Sequence, residues 1–166
     1  MEISQGAGRV AGFLKLNNLV MFYDSNDIQL STECDSVSDE NTAMKYRAWN
    51  WNVITIDGND VNQIRKALDN AIAEQERPTL IIGKCVMGKG CRDAHNNSLE
   101  RSTKTHGAPL GSEAFANTVK NLGGDPDNAF VVYDDVRQMY DARAKELAAI
   151  VAKRQECEKL WAEQNP

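Results

Sequence analysis

The order of apolar and polar positions predicts alternating helices and strands over the first half of the chain. Apolar runs that indicate strands fall at residues 19–23, 53–56 and 79–86. The first run is continuous, as expected of a strand covered on both faces. Segments with apolar residues at helical spacing fall at 4–16, 41–49 and 61–75, and Asp60 stands at the N-cap position of the last one. Three strands joined by helices indicate an α/β fold with a parallel sheet flanked by helices.

The second half of the chain is irregular at first and then strongly helical. Residues 87–110 have no clear periodicity, and a loop of this length is usually functional or disordered. A short helix is predicted at 112–121, and one or two helices at 134–164. Because there is no internal repeat and no low-complexity linker, residues 1–166 are predicted to form a single domain with a helical extension from about residue 134.

Composition and charge describe an acidic globular protein. The chain has 166 residues, of which 42% are hydrophobic, enough for one core. Its formal net charge of −5 argues against a nucleic-acid binder, which needs a basic face to neutralise phosphates. No apolar run is long enough to cross a membrane, and the first residues lack the basic and apolar regions of a signal peptide. We therefore expect a cytoplasmic protein that binds neither nucleic acid nor a membrane.

Two cysteines and both histidines lie close enough in sequence to suggest a zinc site. These residues are Cys85, Cys91, His95 and His106. Their spacing matches no common zinc finger or ribbon. We expect instead that Cys85 packs as a small core residue in a strand and that Cys91 lies in a loop.

Polar groups follow two of the predicted strands, at positions where open parallel sheets bind ligands. Asn26 follows the first strand and, with the backbone carbonyls after it, offers the hard oxygen donors that Mg²⁺ and Ca²⁺ prefer. An Asx turn is the alternative for Asn26 and, on the residues alone, the favoured one.

Two further segments are candidates for binding an anion. Gly88 and Gly90 flank Lys89 after the third strand, so the backbone could approach an anion closely, although an ordinary tight turn is the commoner reason for such a pair. His106 lies in the long loop, where a histidine can donate to phosphate, move protons near neutral pH, or have no task at all. These residues permit a metal and an anion at one sheet edge but name no reaction.

Several segments, taken in order, resemble the transketolases. The stretch 14–30, which includes Tyr23-Asp24-Ser25-Asn26-Asp27-Ile28-Gln29-Leu30, is similar to the second half of the thiamine diphosphate motif of that family. Later similarities fall at 39–51, 57–60, 77–80, 87–90 and 105–111, the last reading Thr-His-Gly-Ala-Pro-Leu-Gly. Each piece is weak alone, but the ordered set is specific and covers nearly the whole chain.

The resemblance implies a thiamine diphosphate-binding fold and an activity. Transketolases transfer a two-carbon ketol unit between sugar phosphates in the pentose phosphate pathway, with thiamine diphosphate and a divalent cation, Mg²⁺ or in its place Ca²⁺ or Mn²⁺. The partners that the resemblance implies are sugar phosphate substrates, the remaining transketolase domains and a homodimer partner.

The resemblance also implies roles for single residues. Asn26 would bind the cation through its side chain and Ile28 through its backbone carbonyl. His106 would lie by the diphosphate and the reacting substrate as the catalytic residue. Leu30 and Met87 would pack near the cofactor rings. The full cofactor-binding set that the resemblance implies is Glu2, Asn26, Ile28, Leu30, Met87, Gly88 and His106, in which Glu2 matches a glutamate at the subunit interface of family dimers.

The sequence also departs from the family pattern. The family motif opens with Gly-Asp-Gly well before the metal-binding asparagine, and the chain starts inside that interval. The aspartate that shares the cation, the earlier histidines and the pyrimidine-binding domain are not in this sequence. The expectation is the later half of a transketolase pyrophosphate-binding domain, inactive by itself.

Two alternatives stay open at this point. One is a related thiamine-dependent synthase, such as dihydroxyacetone synthase or deoxyxylulose-phosphate synthase, although residues 43–49 and the His-Gly-Ala-Pro-Leu segment favour transketolase. The other is a non-catalytic orphan fragment or subunit that keeps the fold and binds partner chains.

Overall fold

The structure, a computed structural model, describes residues 2–165 of the chain, with side chains described for residues 4–165. The chain divides into two compact units, Met1–Pro126 and Asp127–Pro166. The expected single domain with a helical extension from about residue 134 stays a prediction.

The first unit alternates helices and strands in the predicted order. Its helices are α1 (Glu2–Phe13), α2 (Thr42–Ala48), α3 (Val61–Ala73) and α4 (Ser112–Asn121), and its strands are β1 (Val20–Ser25), β2 (Asn52–Asp57) and β3 (Thr79–Lys84). The predicted α/β class with a parallel sheet flanked by helices is confirmed. The element ends differ by a few residues. Because β3 stops at Lys84, Cys85 is half-buried just beyond the strand and is not the core strand residue expected.

All three strands are parallel, in the order β1-β3-β2. Both outer strands pair with β3 from Thr79 onward, and each of the three strands has six residues. Because the strands start level and are equally long, they also end level. Their last residues, Ser25, Lys84 and Asp57, therefore lie side by side at one edge of the sheet.

The central strand β3 is buried on both faces, and each face has its own core cluster. The buried residues on the side of α1 are Ala11, Trp51, Leu80 and Ile82. The buried residues on the side of α3 are Ala67, Ala71 and Ile81. The alternation of Leu80, Ile81 and Ile82 between the two faces explains why β3 is apolar without interruption.

Strand β1 departs from the expectation that it is covered on both faces. Met21 and Tyr23 pack against the α1-side cluster, but Val20 and Phe22, on the other face, are 39% and 45% exposed. The cluster on that other face is built from α3, β3 and partly buried residues of β2, so it does not extend over β1 within the described residues. An uninterrupted apolar run therefore occurs here both in the outer strand β1 and in the central strand β3, so it does not by itself show that a strand is covered on both faces.

Helix α1 approaches the rest of the first unit closely through its glycines. The buried Trp51 indole donates a hydrogen bond to the Gly8 carbonyl at 2.8 Å. A Cβ added at Gly8 would lie 3.2 Å from the Trp49 ring, and one added at Gly12 would collide with the Trp49 carbonyl oxygen. The low helix propensity of glycine is thus offset by contacts that a larger residue would block.

Side-chain caps begin two of the helices. The Asn41 side chain accepts a hydrogen bond from the Met44 N–H at 2.9 Å at the start of α2. Asp60, the predicted N-cap of α3, accepts from the N–H groups of Asn62 and Gln63 at 2.8 and 3.3 Å. A further bond from the Gln63 side chain is the largest cause of the lowered pKa of Asp60. The prediction of the cap at Asp60 is confirmed.

The second unit contains one long helix, α5 (Asp134–Gln164), where the sequence predicts one or two. Asp134 and Asp135 stand in its first turn, where acidic side chains interact favourably with the helix dipole. Among the described residues, no helix combines the length and the apolar character that crossing a membrane requires.

Two glycines of α1 give a paired test of how that helix packs. Gly12→Ala should lower the free energy of unfolding by about 1–3 kcal/mol, because the added methyl group meets the backbone at Trp49. Gly6→Ala should raise it by up to about 1 kcal/mol, because nothing lies within 4 Å of an added Cβ and alanine favours a helix. Urea unfolding of both variants checks the pair. Equal stability would show that α1 does not pack against Trp49 as described.

Candidate functional site

The carboxyl edge of the sheet leads into a short hairpin. Beyond Ser25 the backbone passes through Asp27, which has a φ of 66°. Ile28 then forms an antiparallel bridge with Glu33. The hydrogen bonds that flank this bridge run from Cys34 N–H to the Asp27 carbonyl at 2.9 Å and from Gln29 N–H to the Thr32 carbonyl at 3.0 Å. We call residues 26–34 the site hairpin.

The bridge orients the Ile28 carbonyl. In an antiparallel pair that is flanked by hydrogen bonds but makes none itself, the N–H and C=O of each residue point away from the partner. In agreement, the Ile28 N–H donates to Asn26 Oδ1 at 3.1 Å. The Ile28 carbonyl therefore lies on the same outer side of the site hairpin as the Asn26 carboxamide, which is what a shared cation would require.

Asn26 makes the Asx turn that the residues alone favour. Its Oδ1 accepts from Ile28 N–H, and its Nδ2 donates to Asp24 Oδ2 at 3.2 Å. These two bonds fix the orientation of the amide, and one lone pair of Oδ1 remains for another partner. The turn and a role as cation ligand are therefore compatible.

The glycine turn after β3 is held by its own hydrogen bonds. Gly88 has a φ of 61°, which favours glycine. The Lys89 N–H donates to the Val86 carbonyl at 3.2 Å, and the Gly90 N–H donates to Glu100 Oε1 at 2.8 Å. The tight-turn interpretation thus accounts for the N–H groups of Lys89 and Gly90, because both already have acceptors.

The segment around His106 meets both the glycine turn and the tip of the site hairpin. A Cβ added at Gly88 would lie 3.0 Å from Thr105 Oγ1, and one added at Gly107 would lie 3.8 Å from Leu30 Cδ1. The glycine at each position leaves room for these side chains. Three segments that are distant in sequence therefore converge at the carboxyl edge of the sheet.

His106 is half-buried in this convergence. Its backbone N–H donates to the Thr103 carbonyl at 3.1 Å. Its Nδ1 atom is buried, and no hydrogen-bond partner for it exists among the described residues. Buried polar atoms of folded proteins are nearly always paired, so this nitrogen is suited to a bound ligand.

A cavity of about 290 Å³ lies beside the site hairpin. Its walls are formed by Asn26, Asp27, Ile28, Glu33, Cys34, Asp35 and Arg101. Arg101 belongs to the long loop, and its N–H donates to the Met87 carbonyl at 2.8 Å. The cavity therefore joins the site hairpin to the segment that follows β3.

Cys85 reflects the charges at this edge. Burial raises the pKa of its thiol, and the neighbouring carboxylate of Asp24 raises it further, as does that of Asp57. Lys89 acts in the opposite direction. The thiol is therefore held in its protonated form, and the two carboxylates make the local potential more negative.

The structure places most of the predicted site residues along one edge of the sheet. These residues are Asn26, Ile28, Leu30, Met87, Gly88 and His106. Glu2 begins α1, and its side chain lies outside the described residues. In the described part of the chain, no group of three or more His, Cys, Asp or Glu side chains could hold a metal ion. The candidate cation donors are thus one amide and one carbonyl oxygen.

Three residues that support the site do not follow from sequence spacing. Glu100 anchors the Gly90 N–H, and the Asn59 side chain accepts from the Val86 N–H at 2.9 Å. Arg101 lines the cavity beside the site hairpin. Of these three residues, only Asn59 could have been noticed in the sequence, because it lies in the polar turn that follows β2. The other two lie in a segment without periodicity, and their positions depend on how that segment folds back.

An open parallel sheet with polar loops gathered at its carboxyl edge defines the class, a ligand-binding α/β domain. Comparison with known families matches residues 1–166 to the family described as transketolase, thiamine diphosphate binding domain. The chain therefore belongs to the transketolase family, as its sequence resemblance implies.

Individual relatives agree with this assignment. The transketolase of Staphylococcus aureus strain MRSA252 is 39% identical over 140 residues, which are 83% of this chain and 20% of that protein. The structure of transketolase from Leishmania mexicana has a TM-score of 0.84 at 32% identity, covering 94% of this chain and 23% of that one. The structure of transketolase from Campylobacter jejuni has a TM-score of 0.76 at 34% identity, covering 84% of this chain and 21% of that one. The chain spans about a fifth of the length of the curated relatives it matches.

The raised pKa of Cys85 predicts slow alkylation. Because the thiolate is the reactive form, iodoacetamide at neutral pH should modify Cys85 several-fold more slowly than the exposed Cys157 of α5. Asp24→Asn should speed the reaction at Cys85, because it removes a charge that holds the proton on the thiol. Peptide mapping by mass spectrometry measures both rates. Equal rates at the two cysteines in the unmodified sequence would contradict the negative, partly buried surroundings described for Cys85.

Proposed function

We propose that this chain supplies the cation and diphosphate side of the thiamine diphosphate site of a transketolase. The assembled enzyme would transfer a two-carbon ketol unit between sugar phosphates of the pentose phosphate pathway. The observation that carries the proposal is the shared outer side of the Asn26 carboxamide and the Ile28 carbonyl, on a hairpin whose tip reaches the His106 segment.

The donor set suits a hard divalent cation. Mg²⁺ prefers oxygen ligands in octahedral geometry and usually keeps several ligands that are not protein side chains. Asn26 Oδ1 retains a lone pair, and the Ile28 carbonyl points away from its hairpin partner. These two oxygens would hold one side of the ion. Water, the diphosphate and residues outside the described part of the chain would complete its coordination.

His106 would serve the anionic side of the same site. Its buried, unpartnered Nδ1 can donate to a phosphoryl or sugar oxygen, or accept a proton from one. Thiamine diphosphate, when bound, supplies the electron sink for the ketol transfer. The role of this chain is then to bind and orient: the cation by Asn26 and Ile28, and a reacting oxygen by His106.

Leu30, Met87 and Gly88 would shape the space for the cofactor rings. Leu30 is 71% exposed at the hairpin tip, and Met87 is half-buried at the start of the long loop. An exposed leucine beside a polar site is suited to contact with an apolar ring. Gly88 lets Thr105 pack closely against the turn and so keeps the next residue, His106, near it.

The partners of this chain would be the remaining transketolase segments and a second subunit. The length of the curated relatives leaves about four fifths of the family architecture outside this chain. Large apolar residues stand exposed within the first unit, among them Phe13 at 84%. By resemblance, Glu2 would contribute to a homodimer interface. Four free cysteines agree with a cytoplasmic location, where thiols stay reduced.

Cofactor binding tests the proposal that the site is shared between this chain and the remaining segments of the enzyme. The purified 166-residue chain should bind thiamine diphosphate with Mg²⁺ weakly or not at all, because it supplies only part of the cation's ligands. The enzyme assembled with the remaining segments should bind thiamine diphosphate tightly. In that enzyme, Asn26→Ala should weaken the binding. Asn18→Ala, in an exposed loop, is the control and should leave the binding unchanged. Calorimetry measures all four cases. Tight, Mg²⁺-dependent binding by the chain alone would refute the proposed sharing of the site.

The proposed role of His106 predicts a kinetic effect. In the assembled enzyme, His106→Ala should lower kcat by more than about tenfold, as expected when a group that acts in the transition state is lost. The second histidine, His95, is exposed on a turn, and His95→Ala is the matched control that should leave kcat unchanged. Steady-state kinetics and circular dichroism separate lost catalysis from lost folding. A full kcat in the His106 variant would remove this residue from the site.

A further inference from the structure

We propose that Asn59 is a positioning residue of the candidate site, which acts on His106 through the glycine turn after β3. Neither the resemblance nor the spacing of the sequence assigns it this role. The inference deepens the proposed function and rests on it. It starts from one hydrogen bond between two turns at the carboxyl edge of the sheet, in which Asn59 Oδ1 accepts from the Val86 N–H at 2.9 Å.

This bond takes the place of the next backbone hydrogen bond of the sheet. The Gly58 N–H donates to the Lys84 carbonyl at 2.9 Å, as in a regular parallel pair. If that pairing continued, the Val86 N–H would donate to the Gly58 carbonyl. It donates to the Asn59 side chain instead. The carboxamide thus extends the pairing of β2 with β3 by one bond, although the β2 backbone has already turned toward α3.

The Asn59 side chain reaches Val86 because the two turns approach each other closely. A Cβ added at Gly58 would collide with Cys85 Sγ, so glycine is needed there for the close approach. The Asn59 N–H donates to Asp57 Oδ1 at 2.9 Å, which holds its backbone in the turn. Asn59 is also half-buried. The acceptor for the Val86 N–H therefore lies on a turn that is itself fixed to the end of β2.

Two contacts connect Val86 to His106. The Val86 carbonyl accepts from the Lys89 N–H at 3.2 Å, which closes the glycine turn. Thr105 packs against this turn, since a Cβ added at Gly88 would lie 3.0 Å from Thr105 Oγ1. Thr105 directly precedes His106, whose buried Nδ1 has no partner among the described residues. A displaced turn should therefore displace the nitrogen that is proposed to bind the reacting oxygen.

A role in stability alone is the competing explanation for this bond. Glu100 holds the glycine turn as well, because its side chain accepts from the Gly90 N–H at the far end of the turn. The two explanations differ in their dependence on His106. A bond that only stabilises the fold has the same effect whether or not the imidazole is present. A bond that positions the imidazole loses its effect on the reaction once the imidazole is removed.

The first experiment measures the turn itself, in the 166-residue chain. Asn59→Ala should speed amide hydrogen exchange at Val86 and Lys89, because the turn loses its bond to β2. Asn17→Ala is the matched control. The Asn17 side chain is also half-buried and donates to a distant backbone group, the Gln75 carbonyl at 2.8 Å, but it lies before β1 at the opposite edge of the sheet. Exchange at Val86 and Lys89, followed by NMR, should not change in this control.

The second experiment is a double-mutant cycle in the assembled enzyme. Asn59→Ala should lower kcat at least about fivefold, as expected when a reacting group is misplaced. In the His106→Ala background, the same change should lower kcat less than about twofold, because the group that Asn59 positions is gone. Asn59→Asp keeps an acceptor oxygen and should recover most of the lost kcat. Asn17→Ala should match the kcat of the parent, while its thermal midpoint should fall about as much as that of Asn59→Ala.

Three results would overturn the inference. The first is unchanged exchange at Val86 and Lys89 in the Asn59→Ala chain. The second is an equal loss of kcat with and without His106, which would show that the bond only stabilises the fold. The third is an Asn59→Asp enzyme no more active than Asn59→Ala. A parent enzyme whose activity does not depend on thiamine diphosphate would instead refute the proposed function, and the exchange experiment would still report whether Asn59 holds the turn.

Discussion

The level pairing of both outer strands with β3 is the constraint on which the site depends. Since β1 and β2 each begin opposite Thr79, all three strands deliver their last residues to one edge. The pairing continues beyond the strands, where Cys85 N–H donates to the Ser25 carbonyl and Gly58 N–H donates to the Lys84 carbonyl. A shift of one residue in either strand would turn its apolar side chains to the opposite face and separate the loops that form the site.

Side chains that hydrogen-bond to backbone groups then hold those loops in place. Asn26, Asn59 and Glu100 each accept from a backbone N–H near the carboxyl edge of the sheet. Asp93 does the same farther along the long loop. The bond that it accepts from the Asn97 side chain, and then those from the N–H groups of Asn97 and His95, lower the pKa of its carboxyl. The long segment after β3 is therefore ordered although a single 3-10 turn, Thr103–Thr105, is its only helix among the described residues, and this order holds His106 in a fixed position.

Features that depend on neighbouring residues could be predicted from the sequence, whereas packing between distant segments could not. The cap at Asp60 and the buried run of β3 follow from propensity and periodicity, so they could be predicted. The exposed face of β1 could not, because an apolar run does not show which helix covers it. The cavity position of Arg101 depends on one backbone hydrogen bond to Met87 across the long loop, which no spacing rule anticipates. Motif order added what periodicity could not, since it alone proposes that Asn26 and His106 share a site, and this stays a prediction.

Electrostatics links the proposed cation to the proposed anion. The edge of the sheet carries Asp24 and Asp57, whose charges help to raise the pKa of Cys85. A diphosphate approaching this edge alone would be repelled by those carboxylates. A divalent cation bound by Asn26 and Ile28, as proposed, would offset the charge of these two carboxylates. In the proposed site, the cation held by these two oxygen donors would therefore also lower the repulsion between the acidic edge and the cofactor diphosphate.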